Sequence, residues 1–168
     1  MKGLVKFYHP DETLIYHIRK SFCKVVFLNN QNSLVVEIES DDDLDHVEED
    51  SYQNDYPQIF MNIDDFAVSV KSVNQLAGKV FRIPSSEEKE NEHGEPDEVY
   101  YTNLNINDED DLETDENEVK FGRDGKGNLK MLWTGICEDF VAGNPDPLKF
   151  KVSCIFSEDE NEEEFDED

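Results

Sequence analysis

The sequence is poor in cysteine, poor in lysine and arginine, and free of long apolar runs. Its three cysteines, Cys23, Cys137 and Cys154, have no paired spacing, which argues against a disulfide scaffold. Residues 1–7 lack the apolar stretch of a signal peptide, and no run in the sequence is long enough to span a bilayer. We therefore expect a cytoplasmic protein whose cysteines are reduced.

The shortage of basic residues restricts the partners that the chain can bind. It has 15 lysines and arginines against 42 aspartates and glutamates, a formal net charge of −27. Nucleic-acid affinity depends on cations that neutralise phosphates, and anionic membranes attract basic surfaces in the same way. We therefore predict no direct binding to nucleic acid or membrane. The charge favours a basic protein partner, because attraction between opposite charges raises the association rate.

Patterns typical of catalytic and metal sites are also missing. No histidine lies near Cys137 in the sequence, so we interpret Cys137 as a small buried side chain at a strand end and Cys154 as a core residue. The four histidines lack metal-ligand spacing. The acidic runs 41–43 and 108–111 do not form a calcium-binding loop, and residues 122–128 have the composition of a hairpin turn. We predict a protein that is not an enzyme and has no metal or cofactor.

The chain does contain short stretches in which every second residue is apolar. This alternation is clearest over residues 148–156, and residues 119–133 predict a hairpin around a glycine-rich turn. A second predicted hairpin covers residues 24–38, with its turn at Asn29-Asn30-Gln31-Asn32. Further strands are predicted at residues 4–8, 59–63, 66–70, 79–83 and 99–106.

Helix signals are fewer. Pro10-Asp11-Glu12 precedes an apolar segment that ends in Arg19-Lys20, which predicts a helix of two or three turns over residues 10–20. Residues 42–52 and 72–77 are also predicted as short helices, and Asp64-Asp65 as a turn between two strands. The predicted fold class is mainly β (α+β), an antiparallel sheet or β-sandwich with one to three short helices.

The acid is concentrated in four blocks that hold 33 of the 42 carboxylates: residues 37–50, 87–98, 108–118 and 158–168. We predict a single acidic, β-rich domain over residues 1–157, with a surface loop at 84–98 and a disordered acidic tail at 158–168. The first and third blocks adjoin predicted strands, so they are expected to form a fixed negative surface. The second and fourth are expected to be accessory.

The chain resembles the small acidic immunity proteins that are encoded beside the toxins of bacterial contact-dependent inhibition and related polymorphic toxin systems. The likeness rests on a single acidic domain with many short strands and no catalytic motif. It also rests on Glu118-Val119-Lys120-Phe121, Lys130-Met131-Leu132-Trp133-Thr134-Gly135 and Leu148-Lys149-Phe150-Lys151-Val152. The resemblance implies an immunity protein, or antitoxin, that neutralises a cognate toxin nuclease.

Such an inhibitor places carboxylates where a nuclease would hold phosphates. The interface is expected in the first and third blocks, with apolar neighbours as hot spots. A DNA-mimic inhibitor, an acidic chaperone of basic proteins and a metal-dependent hydrolase are the alternatives. The residues predicted to contact the partner are Asp41, Asp42, Asp43, Asp45, Glu48, Glu49, Asp50, Asp108, Glu109, Asp110, Asp111 and Glu113.

Overall fold

Antiparallel strands make up most of the backbone in residues 2–156, which are the residues that the computed structural model describes. Within them the only helical segments are two 3₁₀ turns, Tyr52–Asp55 and Val73–Gln75. The prediction of a mainly β, antiparallel fold is therefore confirmed. The strands are β1 (Gly3–Tyr8), β2 (Thr13–Leu28), β3 (Gln31–Ser40), β4 (Ile59–Ala67), β5 (Val80–Ile83), β6 (Ser86–Glu90), β7 (Pro96–Tyr100), β8 (Thr102–Ile106), β9 (Asp110–Leu112), β10 (Thr114–Arg123), β11 (Leu129–Cys137) and β12 (Leu148–Phe156).

Ten of these strands form one curled sheet in the order β5-β10-β11-β12-β1-β2-β3-β4-β8-β9, and β6 and β7 form a separate hairpin. Strand β2 belongs to both halves of the sheet, because its residues 13–17 pair with β1 and its residues 18–28 pair with β3. A bulge between Ile18 and Lys20 marks the change of partner, and bulges of this kind bend strands. We call the strands β5, β10, β11, β12 and β1 the β12 half of the sheet. The strands β3, β4, β8 and β9 are the β3 half.

The core fills the space inside the curl. Strand β12 shows the pattern most clearly, since its apolar residues at every second position are buried and the residues between them are exposed. The two halves meet again at the far side, where the Thr114 hydroxyl donates to the Thr102 hydroxyl (2.7 Å) and the Phe66 ring contacts Phe81 edge to face. Full burial of each large apolar side chain contributes roughly 1.5–3 kcal/mol. The prediction that Cys137 and Cys154 are buried is confirmed.

Both predicted hairpins are present. Strands β10 and β11 pair around the glycine-rich turn, and β2 and β3 pair around Asn29-Asn30. These two asparagines have φ values of 55° and 61°, as a two-residue type I′ turn requires, and asparagine tolerates this conformation better than most residues. The turn is shorter than predicted, because Gln31 and Asn32 already pair with β2.

The predicted helix over residues 10–20 is wrong, because the segment from Thr13 onwards is the first part of β2. Leu14, Tyr16 and Ile18 are buried and alternate with less buried residues, so the apolar period is two and not 3.6. The acidic start and basic end imitate helix termini. The β-branched and aromatic residues between them favour a strand, and pairing with β1 decides the outcome.

The predicted helix over residues 42–52 is also wrong, since only Tyr52 of this segment lies in a 3₁₀ turn. The carboxylates of Asp41 and Asp43 accept hydrogen bonds from the backbone N–H groups two residues further on, at 3.0 and 2.9 Å. Such bonds compete with helical hydrogen bonding. The helix predicted over residues 72–77 is reduced to the single turn Val73–Gln75.

Four predicted segments differ from the structure. Of the strand predicted over residues 66–70, only residues 66 and 67 are in a strand, at the end of β4. Asp64-Asp65 is not a turn between two strands but lies inside β4, where Asp65 has a φ of 60° and the register with β3 shifts. The predicted strand 99–106 is divided at Tyr101 into β7 and β8. Residues 84–98, predicted as a surface loop, contain β6 and most of β7, and this hairpin is largely exposed. The predicted tail, residues 158–168, lies outside the described residues.

Candidate functional site

The register of the β3 half brings the first and third acidic blocks to the same end of the sheet. Strand β3 ends at Ser40, β4 begins at Ile59, and β8 ends at Ile106. Ile59 pairs with Ile106, and its backbone N–H donates to the Ser40 hydroxyl at 2.8 Å. The connection 41–58 and the turn after β8 therefore leave the sheet side by side.

Asn107 ties these two connections together. Asn107 and Asp108 have φ values of 57° and 60° and lie in the three-residue connection between β8 and β9, where the Glu109 N–H donates to the carbonyl of Ile106 (3.0 Å). The Asn107 backbone N–H donates to the carbonyl of Gln58 (2.8 Å), and its side-chain amide donates to the carbonyl of Asp55 (3.0 Å). The Gln58 N–H in turn donates to the side-chain oxygen of Asn107 (3.2 Å). The acidic turn is thereby fixed against the acidic connection.

The connection 41–58 also covers the edge of β2 that β3 leaves unpaired. The buried Gln53 side chain accepts from the N–H of Ile15 (3.0 Å) and donates to its carbonyl (2.6 Å), as a neighbouring strand would. The His46 ring stacks on His17 with 4.1 Å between the ring centroids. These contacts hold an acidic segment without regular secondary structure in a defined position.

A second set of contacts joins the connection to the β1–β2 turn. The Glu12 carboxylate accepts hydrogen bonds from the Ser51 hydroxyl (2.9 Å) and from the Tyr52 N–H (2.6 Å). The Tyr52 hydroxyl donates to Asp11 (3.1 Å), and this bond raises the pKa of the phenol. The Asn54 amide donates to three backbone carbonyls between residues 48 and 51. The exposed carboxylates of residues 42–50 are therefore attached to a fixed backbone.

The connection between β11 and β12 joins this surface through Asp139. Nε2 of the buried His9 side chain lies 3.3 Å from an Asp139 carboxylate oxygen. The Asp139 oxygens accept backbone N–H groups from Val141 (2.9 Å), Ala142 (2.9 Å) and Asn144 (3.3 Å). Burial by itself raises the pKa of the Asp139 carboxyl. The three N–H donors and His9 outweigh burial and hold that pKa below its usual value.

Asp139→Asn is expected to lower the free energy of unfolding by about 2 kcal/mol at neutral pH, since it weakens hydrogen bonds to a buried charged group. The pKa of Asp139 is depressed in the folded state, so its contribution is present above the ordinary aspartate pKa of about 3.9 and is lost as the pH falls through the folded value. Urea unfolding of both proteins from pH 7 to pH 2 tests this. If the two proteins differ in unfolding free energy as much at pH 2 as at pH 7, the prediction is contradicted.

Together the four connections 9–12, 41–58, 107–109 and 138–147 form a surface that we call the acidic end. Their sequences contain fifteen carboxylates and no lysine or arginine. The potential over this end is therefore negative, and Arg19 of β2, whose guanidinium lies 4.0 Å from the Asp42 carboxylate, reduces it only locally. The carboxylates are those of Asp11, Glu12, Asp41, Asp42, Asp43, Asp45, Glu48, Glu49, Asp50, Asp55, Asp108, Glu109, Glu138, Asp139 and Asp146.

The predicted contact residues fall into two groups. Those between residues 41 and 50, together with Asp108 and Glu109, lie in the acidic end, and all except the half-buried Asp41 are exposed. Asp110 and Asp111 lie in β9, Glu113 follows it directly, and all three are exposed. Asp111 accepts from the amides of two asparagines of β8, at 2.9 and 3.1 Å, and these bonds lower its pKa.

Sequence reasoning missed the residues that position this surface. Gln53 and His9 gave no local signal, because each acts through a partner far away in the sequence. Asn54 binds backbone carbonyls only three to six residues before it, in a segment where the sequence predicted a helix. Asn107-Asp108 was recognisable in principle, since the pair lies between two alternating stretches and such residues favour a type I′ turn.

Neither a thiol site nor a metal site stands out in the described residues. All three cysteines are free and buried, and burial raises the pKa of the Cys137 thiol to about 12. Residues 2–156 contain no group of three or more His, Cys, Asp or Glu side chains placed to hold a metal ion. No helix in the same range has the length and apolar character needed to cross a membrane. Comparison of the chain with family models, curated proteins and solved structures found no match.

Proposed function

We propose that this protein is a cytoplasmic, non-enzymatic immunity protein that binds and neutralises a basic toxin, most simply a nuclease, through its acidic end. The observation that carries the proposal is the assembly of four connections, rich in carboxylate and free of lysine and arginine, at one end of a β-sheet. A nuclease holds phosphates with arginine and lysine, and carboxylates form charge-assisted hydrogen bonds with the same side chains.

The way the carboxylates are held supports this function. Acid in an unstructured segment contributes a diffuse charge, whereas the backbone of residues 48–58 is fixed by Gln53, Asn54 and Asn107. A fixed array loses less conformational entropy when it binds. The exposed Tyr52 ring lies among these carboxylates and offers the aromatic anchor that binding hot spots favour.

The alternatives have weaker support. Mimicry of duplex DNA needs rows of charge that follow two phosphate backbones, about one charge per 1.7 Å of axis. In the acidic end the carboxylates lie on connections between strands, which suits a compact protein partner better. A chaperone of basic proteins would depend chiefly on residues 158–168, which lie outside the described residues.

Co-expression with the product of the adjacent gene tests the proposal. The wild-type chain is expected to bind that product and to protect the cell from it. A variant with five charges removed from the acidic end is expected to lose binding and protection. The variant carries Asp42→Asn, Asp43→Asn, Asp45→Asn, Glu48→Gln and Glu49→Gln.

The β6–β7 hairpin supplies the matched control, because it carries exposed acid remote from the acidic end in the fold. The control variant removes the same number of charges and is expected to bind and protect like the wild type. Failure of the wild type to bind, or equal losses in both variants, would contradict the proposal. The control carries Glu88→Gln, Glu90→Gln, Glu92→Gln, Glu95→Gln and Asp97→Asn.

A further inference from the structure

The outer face of the β12 half contains a groove with the opposite charge. It has a volume of about 750 Å³ and is lined by residues of β1, β10, β11 and β12 and by Lys2. Five lysines line it, one third of the 15 basic residues in the chain, and no aspartate or glutamate of residues 2–156 does. In a chain with a net charge of −27 this separation is a distinct feature of the fold. The lysines are Lys2, Lys6, Lys120, Lys130 and Lys151.

Strand register builds this lysine groove from four separate parts of the sequence. Lys6 pairs with Lys151, and Lys130 pairs with Ile155, so that these side chains point away from the core on the same face. Between the lysines lies an apolar floor formed by Leu4, Leu132 and Ile155. The groove therefore offers cations at its rim and apolar surface at its base.

Four of the groove lysines can be compared for their ion pairs within the described residues. Lys120 forms an ion pair with Glu118 at 3.3 Å. Among residues 2–156, Lys6, Lys130 and Lys151 have no carboxylate within ion-pair distance, although the chain has 42 acidic residues. Neighbouring like charges repel one another, so binding of an anion at the groove is favourable.

We propose that the lysine groove binds the chain's own C-terminal acidic segment, residues 158–168. This segment contains nine carboxylates and one aromatic residue, Phe165. The carboxylates complement the lysine rim, and the Phe165 ring complements the apolar floor. The proposal is independent of the acidic end and of its partner.

Chain geometry allows this contact. Strand β12 ends at Phe156, directly after Ile155 of the groove floor. The nine residues from Phe156 to Phe165 can span up to about 30 Å at roughly 3.3 Å per residue. Along β12 the groove extends from Ile155 back to Lys151, about 13 Å at the rise of a strand. The segment is long enough to fold back over the full groove.

Electrostatics favours this occupant over an external polyanion. The negative field of the rest of the chain repels a nucleic acid as it approaches. A segment of the same chain avoids this cost of encounter, because a short covalent link gives a tethered ligand an effective concentration at its site in the millimolar range. Exposed lysine–carboxylate pairs are each weak and are screened by salt. Binding by the segment is therefore expected to be multivalent and sensitive to ionic strength.

Paramagnetic relaxation in the full-length protein tests the contact. The three native thiols are buried, so a nitroxide reagent will label the added thiol of Glu162→Cys selectively. The amide signals of Leu4, Lys6, Leu132 and Ser153 are expected to lose most of their intensity. Those of Asn105 and Asn107, at the end of β8 and five strands from β12 in the sheet order, are expected to keep theirs. On the order of 0.5 M sodium chloride should restore the groove signals, because the Debye length is then only about 4 Å.

Charge variants make the test specific. Lys130→Gln with Lys151→Gln is expected to abolish the broadening, whereas Lys71→Gln with Lys79→Gln, two lysines outside the groove, is expected to preserve it. Three results would overturn the proposal. The first is that the groove signals of the labelled protein keep their intensity. The second is that, in a mixed sample, broadening occurs only between different molecules. The third is that a single-stranded oligonucleotide binds the groove although the spin label on residue 162 does not broaden the groove signals.

Discussion

Replacing Asn117 by alanine is expected to lower the free energy of unfolding by about 3–5 kcal/mol, enough to unfold a marginally stable domain. Asn117 lies buried at the bulge of β10, where the register with β11 shifts between Asp115 and Glu118. Its amide donates to the carbonyls of Ile83 (3.0 Å) and Thr114 (2.8 Å). Its side-chain oxygen accepts from the indole N–H of Trp133 (2.9 Å).

The large effect follows from the number of partners that alanine would leave behind. The Ile83 carbonyl and the Trp133 indole N–H would lose the hydrogen bonds that Asn117 makes with them, and the Thr114 carbonyl would keep only its 3.3 Å bond from the Thr102 hydroxyl. Each buried polar group left unpaired costs roughly 1–3 kcal/mol. Gly135 shows how tightly the site is built, because a Cβ at this position would lie 2.9 Å from the Asn117 side-chain oxygen. Relaxation of the backbone around the new alanine is correspondingly restricted.

Urea unfolding followed by tryptophan fluorescence measures this change, since Trp133 is the single tryptophan of the chain. Asn144→Ala is the control, because Asn144 is exposed and, within residues 2–156, its side chain makes no hydrogen bond, whereas its backbone N–H donates to Asp139. We expect the control to stay within about 0.5 kcal/mol of the wild type. An Asn117→Ala protein as stable as the control would show that the bulge does not depend on this side chain.

Removal of five charges from the acidic end is expected to slow association with a basic partner by about 10- to 100-fold at low salt. The variant is the one defined by Asp42, Asp43, Asp45, Glu48 and Glu49. Long-range attraction acts on the encounter more than on the bound complex, so the dissociation rate is expected to change less. The prediction rests on the proposed function.

Stopped-flow association at several ionic strengths provides the measurement. The wild type and the β6–β7 hairpin control are expected to share a steep decrease of rate with salt, and the acidic-end variant a shallower one. A variant that keeps the wild-type association rate but dissociates faster would assign the five carboxylates to short-range contacts. A control that slows equally would mean that total charge matters and its position does not.

Local patterns were sufficient to predict the strands that carry their own signals. The alternation over residues 148–156 and the glycine-rich turn before Leu129 each specify a structure within a few neighbouring residues. The start of β2 was misread because its charged ends resemble helix termini. Pairing with β1, which precedes β2 in the sequence and lies beside it in the sheet, distinguishes the two possibilities.

The candidate sites depend on strand order, which the sequence pattern does not reveal. Asn107 meets Asp55 and Gln58 only because β4 and β8 are neighbours in the sheet. The lysine groove was missed for a related reason. Composition averages charge over the chain, whereas Lys6, Lys130 and Lys151 become neighbours through the pairing of β1, β12 and β11.

The position of β1 beside β12 has a consequence for how the protein folds as it is made. Val5 pairs with Val152, so strands near opposite ends of the sequence become neighbours in the middle of the large sheet. During synthesis, at roughly 5–20 residues per second, β1 and β11 both keep an open edge until β12 has left the ribosome. Pairing over so long a sequence separation is slow. The sheet is therefore completed only after nearly the whole described chain has been translated.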